Sequence, residues 1–184
     1  LRATRVIDVG VSPTQFYKDT TPPRFKLPSM VYGPEWRLNI GGQKIFLRAS
    51  EYNDPDRTLG EIWIEVAKEG SLTKGLASCL AIAVSQGLQH GVPLAKFVDT
   101  FTFQTFAPNG IVQGHENIKM ASSLVDLVFR VLGFHYLGRT DLVQVKPEDG
   151  ELITPAGMTA AFVGRGSAAS GAVRPIASGD AHAH

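Results

Sequence analysis

Trp36, Leu38 and Ile40 alternate with Arg37 and Asn39, the two-residue period of a half-buried β-strand. Gly41-Gly42 follows, and two such residues supply the positive φ that a type I′ turn requires. Ile45, Leu47 and Ala49 then alternate with Lys44, Phe46 and Arg48, so the pattern predicts a hairpin. A polar stretch from Glu51 to Arg57, pinned by Pro55, makes the next connection. Ile62, Ile64 and Val66 alternate with Glu61, Trp63 and Glu65 and predict a third strand. Three antiparallel strands present one apolar face, which another layer must cover.

The period then changes to that of helices. From Ser71, a suitable N-cap, the apolar or small positions Leu72, Leu76, Cys79, Leu80, Ala83, Val84, Gly87 and Leu88 form a helical stripe. Gly75 and Gly87 lie on or beside it and are expected to permit close backbone approach. His90-Gly91 stops this helix, and Pro93 opens a shorter one carrying Leu94, Phe97, Val98 and Phe101. Pro108-Asn109-Gly110 reads as a turn. A third helix is expected from near Asn117, with Ile118, Ala121, Leu124, Val125, Val128, Val131, Leu132 and His135 on one face and Gly138 as its stop. The expected fold is α+β, a three-stranded antiparallel sheet packed against three helices, over residues 35–146. Val6 to Val9 either adds an edge strand or belongs to an extended linker.

Composition frames this core with two arms. Residues 1–34 hold Pro13, Pro22, Pro23, Pro28 and Pro34 and read as a linker, and 147–184 is a flexible Gly/Ala/Ser-rich tail. Both arms are expected to be mobile in an isolated monomer, or ordered only by a neighbouring surface such as a second copy of the chain. A chain that starts at Leu1 rather than Met is expected to be a fragment. The net charge of +1 over 184 residues excludes a broad footprint for duplex nucleic acid. No apolar run approaches the ~20 residues of a membrane span, so no membrane partner is expected. The single cysteine rules out an intramolecular disulfide and a Cys-rich zinc site, which fits a cytoplasmic protein.

Candidate chemistry is sparse. Cys79, on the helix stripe, is expected to be an inert packing residue. Glu61 and Glu65 share a sheet face with Trp63 between them, as paired carboxylates or as an ordinary solvated face. The loop Ile111–Lys119 gathers Gln113, His115, Glu116, Asn117 and Lys119 just before the expected helix start. There Gln113, His115, Asn117 and Lys119 would hold a phosphorylated nucleoside at a helix N-terminus, with Lys68 as a second phosphate contact. The same loop is alternatively a structural turn. Phe103 or Phe106 would stack the base or cap the core. His135 is read as a core or boundary histidine, and His182 and His184 are insufficient for a metal site. No catalytic residue and no metal ligand is assigned.

Four segments carry a family resemblance: GGQKIFLRASEYND, LGEIWIEVAKEGS, AIAVSQGLQHGVPLAKFVDTFTFQTFAPNGIVQGHENIK and SSLVDLVFRVLGFHYLGRTDL. In this order and spacing the chain resembles the C-terminal, TSCPD-related region of adenosylcobalamin-dependent (class II) ribonucleoside-diphosphate reductases. The resemblance implies a role in deoxyribonucleotide synthesis, with the proline-rich segment as connector to a catalytic barrel. It implies adenosylcobalamin for the parent enzyme but none bound by this chain. The family's tail commonly carries redox cysteines, whereas Gly164 to His184 has none, so the chain by itself is expected to be inactive. The implied role is a non-catalytic module that supports the catalytic domain or subunit contacts. Two alternatives stand beside it: a stand-alone nucleotide- or nucleic-acid-binding module, and an assembly protein that uses its arms.

Overall fold

The computed structural model describes residues 23–67 and 70–147. Lys68, the Val6–Val9 segment and most of both arms lie outside the described residues. The elements run β1 (Glu35–Ile40), β2 (Gln43–Glu51), β3 (Leu59–Val66), α1 (Ser71–Gln89), α2 (Leu94–Phe101), β4 (Gly110–Gln113), β5 (Met120–Ala121) and α3 (Leu124–Leu137), with a 3-10 turn at Thr140–Leu142.

The hairpin forms where the alternation places it. Gly41 and Gly42 have φ of 56° and 88°, and Trp36 pairs with Leu47 and Leu38 with Ile45. Leu38, Ile40, Ile45, Leu47, Ala49, Ile62, Ile64 and Val66 all face one buried layer. The sheet has five strands rather than the expected three, in the order β3-β2-β1-β4-β5, with antiparallel pairings throughout. The additional strands are four and two residues long, and β4 joins β1 by pairing Gln113 with Asn39 and Val112 with Ile40. Strands this short carry too few alternations to register as a period.

The third helix does not start near Asn117. Its N-cap is Ser123, whose hydroxyl accepts from the Asp126 N–H at 3.0 Å. Ile118 and Ala121 are buried, but from the turn and from β5. Gly138, at φ 62°, ends the helix as expected. Val98 of α2 crosses α3 at Gly133, where an added Cβ would lie 3.0 Å from a Val98 methyl.

The first helix is rotated from the expected stripe. Its buried residues are Ala77, Ala81, Val84, Ser85 and Gln89, with Leu80 and Leu88 packed alongside, whereas Leu72, Leu76 and Cys79 are exposed. Its N-cap is Gly70 rather than Ser71. The cause of the rotation is β3, which is an edge strand with unpaired backbone groups. Ser85 Oγ accepts from the Ile62 N–H at 3.0 Å, and Gln89 Nε2 donates to the Gly60 carbonyl at 3.1 Å. Small residues bring the helix close, and its polar ones finish the strand's hydrogen bonding, which protects the edge from pairing elsewhere. Gly87 does mark a close approach, since a Cβ there would meet the Phe97 ring at 2.6 Å. Gly75 faces open space.

Residues 23–34 are extended against this body. Phe25 N–H donates to Gln89 O at 2.8 Å, Arg24 Nε to Gln89 Oε1 at 2.7 Å, and Tyr32 bridges to Glu51.

Candidate functional site

The loop after β4 is a turn built around His115. Its Nδ1 accepts from the backbone N–H groups of Asn117 at 3.1 Å and Ile118 at 3.2 Å. Burial pushes the imidazole pKa down to about 4, so the ring is neutral at pH 7 and keeps the lone pair those two donors need. Lys119 Nζ reaches back to the His115 carbonyl at 3.3 Å. Asn117 Nδ2 donates to Val145 O at 3.0 Å, and Asn117 O accepts from the N–H groups of Gln144 and Val145. His115, Asn117 and Lys119 are thus brought together, but their polar atoms close the turn and tie it to residues 144–145. The helix terminus that was to share a ligand with them lies further along, at Ser123.

Gln113 is separated from this group. Val112 points into the core, so Gln113 points to the opposite face of the sheet, and there it meets residues from β1 and β2. Arg37, Asn39, Lys44, Phe46, Gln113 and Gly114 line a cleft of about 420 Å³ on that outer face. Gly114 has φ 88°, and a Cβ on it would lie 2.1 Å from the Arg37 carbonyl oxygen, so only glycine lets the chain turn so close to β1. Further along the same face stand Trp63, which is 53% exposed, and the Glu65 carboxylate. Among the described residues no group of three His, Cys, Asp or Glu side chains is arranged to hold a metal.

Two polar clusters escaped the sequence reading. Asp126 is fully buried and takes both oxygens to Arg130 Nε at 2.9 Å, while also accepting from the N–H groups of Phe103 and Ser122. Arg130 donates onward to Leu142 O at 2.7 Å, and its guanidinium lies 4.7 Å from the centre of the Phe103 ring. This hub joins the α2–β4 connection, the start of α3 and the 3-10 turn. Ser123-x-x-Asp126 is a capping-box spacing, and it was the available signal for both the hub and the true helix start. The second cluster sits at the end of β2. There the buried Glu51 accepts from Tyr136 Oη at 2.8 Å and from Arg57 Nε at 2.6 Å. Burial, with this carboxylate close by, raises the Tyr136 pKa, so the hydroxyl stays protonated as a donor. His135 packs edge-on against Trp36 at 5.0 Å, a boundary position, and burial lowers its pKa.

The outer side of α1 is apolar and exposed. Leu72 is 74% exposed, Leu76 62% and Ile82 52%, with Cys79 exposed between them. Lys74 is the one charged residue in the 19 of this helix. Among the described residues no helix is long and apolar enough to cross a membrane.

These features define an α+β module with a single core, one bare apolar helix face and a donor-rich cleft on its sheet. The chain belongs to the TSCPD domain family, whose model matches residues 17–136. It is 45% identical over 126 residues to a vitamin B12-dependent ribonucleotide reductase of Agrobacterium fabrum, covering 68% of this chain and 10% of that protein. A protein of the same name from Bradyrhizobium diazoefficiens is 46% identical with the same coverage. One from Streptantibioticus cattleyicolor is 38% identical over 116 residues, 63% of this chain and 19% of that protein. The chain therefore spans from a tenth to a fifth of the length of these relatives. No solved structure matches the chain significantly.

Proposed function

We propose that this chain is a non-catalytic module of a vitamin B12-dependent ribonucleotide reductase, serving deoxyribonucleotide synthesis by docking onto that enzyme's catalytic barrel. The observation that carries the reading is the bare face of α1. A helix with Leu72, Leu76 and Ile82 turned to solvent and one lysine in its length is shaped for burial against another surface. The matched relatives have ample chain to supply that surface, since the shared segment is about a tenth of the Agrobacterium fabrum protein. The other side of the same helix is already committed to β3, so docking would leave the module's own core unchanged.

Three clefts on the described residues, of about 420, 360 and 290 Å³, lie at the low end of the ~300–1,000 Å³ range of drug-sized ligand sites, and a corrin with its side chains needs more than any of these three offers. His115 and His135 are occupied in a turn and in ring packing. In this reading adenosylcobalamin belongs to the catalytic part, where it would generate the radical.

The test uses the Agrobacterium fabrum reductase lacking its matching segment. Adding the full 184-residue chain is expected to form a complex and to raise ribonucleotide reduction in the presence of adenosylcobalamin. Failure to associate, with activity unchanged, overturns docking. Reduction by this chain alone overturns the non-catalytic assignment.

A further inference from the structure

The cleft on the outer face of the sheet contains an unusual surplus of donors. Lys44 Nζ has no acceptor among the described residues. Among the described residues Arg37 spends only its Nε, on Glu35 at 3.2 Å, and keeps both terminal nitrogens. Asn39 Oδ1 accepts from the Gly42 N–H at 3.0 Å, which leaves its amide N–H₂ to donate, and the Gln113 amide has no partner among the described residues. No carboxylate lines this cleft. Two other clefts differ: one is lined by Asp56 beside Arg57, and a second by Glu51, which holds Arg57 in an ion pair. Phe46 supplies one apolar wall, flanked in register by Arg37 on β1 and by Glu65 on β3, whose carboxylate stands outside the cleft lining.

From this juxtaposition we infer that the cleft binds a nucleoside phosphate. Arg37 and Lys44 take the phosphates, the Phe46 ring stacks the base, and the amides of Asn39 and Gln113 read polar edges of base or sugar. Two cations that approach from neighbouring strands match a diphosphate or triphosphate better than a single carboxylate, because such a chain offers separate oxygens to each. An aromatic ring on an antiparallel sheet face with cations around it is a general arrangement for stacking a base while its phosphate is neutralised. The Gly114 turn fixes Gln113 beside Arg37 and shapes the end wall. This places the ligand on the opposite side of β4 from the His115 turn, with Gln113 the one residue shared with the loop site expected from the sequence. The inference stands apart from docking through α1, since the two use different elements.

The experiment is calorimetric titration of the full chain with ADP, CDP, dATP and, as a base-free control, tripolyphosphate. Saturable binding of a nucleotide is expected, weakened about tenfold or more in Arg37→Gln and in Lys44→Gln, since each removes a charged hydrogen bond. Phe46→Leu is expected to weaken nucleotides and leave tripolyphosphate unaffected. Lys119→Gln, in the separate turn, is expected to bind as the parent does. Absence of nucleotide binding by the parent chain overturns the proposal, as does full retention by the Arg37→Gln/Lys44→Gln double variant with an unchanged melting temperature. Tripolyphosphate binding as tightly as the nucleotides overturns the nucleoside assignment.

Discussion

The two long helices both carry many apolar residues and sit in opposite environments. Of the 14 residues of α3, ten are buried, including Asp126 and Arg130, so almost its whole circumference is core. The 19-residue α1 buries one narrow side of small and polar residues and turns leucine, isoleucine and cysteine outward. Apolar content therefore does not say which way a helix faces. In α3 the polar residues are inside because a network engages both Asp126 oxygens and the Nε and Nη1 of Arg130. In α1 they are inside because an edge strand needs hydrogen bonds that Leu72 or Leu76 could not give. What α1 leaves outside is then available to another surface.

The largest effect should come from breaking the α3 network. Arg130→Ala strips the partner from a fully buried carboxylate, and a loss of about 3–5 kcal/mol is expected in chemical denaturation. The corresponding cut in α1, Ser85→Ala, leaves the Ile62 N–H without its acceptor. It should cost about 1–3 kcal/mol, with hydrogen exchange accelerated along β3. An unchanged exchange rate there would remove edge protection as the reason for the rotation of α1.

A smaller effect is expected from acid. His115 titrates near 4 in the folded chain, against about 6.5 when unfolded. Between these values the unfolded state takes up a proton that the folded state refuses. Stability is therefore complete above pH 6.5, falls as the pH drops through this window, and stops falling from this source below about 4. Because the ring is only partly buried, the loss should be about 1–2 kcal/mol after discounting for solvent screening. His115→Gln should flatten that part of the profile, and a profile unchanged by the substitution would show that the turn does not depend on a neutral imidazole.

Much of this architecture can be read from the chain. The Gly41-Gly42 hairpin, the alternation of β3 and the stop at Gly138 are local signals with local causes, and each appears where its residues place it. What could not be read depends on partners distant in sequence. The side of α1 that faces inward is chosen by Ile62 and Gly60, more than twenty residues away, and not by its own periodicity. Strands β4 and β5 exist because β1 offers an edge to pair with, and their few residues hold no period of their own. The candidate site shows the same division. Gln113 stood out for its loop neighbours, yet β-pairing sets it beside Asn39 and gives it Arg37 and Lys44 as companions, while His115, Asn117 and Lys119 turn to their own backbone. Lys68 lies outside the described residues.

The smallest effect on stability should come from the bare face of α1, and it decides the most. Leu72→Ser/Leu76→Ser alters two side chains that are 74% and 62% exposed, so the unfolding free energy should stay within about 0.5 kcal/mol of the parent's. The most direct measurement is the affinity of this double variant, against that of the unaltered chain, for the Agrobacterium fabrum reductase lacking its matching segment. Tight binding by the parent and at least tenfold weaker binding by the variant is the predicted result. Equal affinity for both would contradict docking through α1.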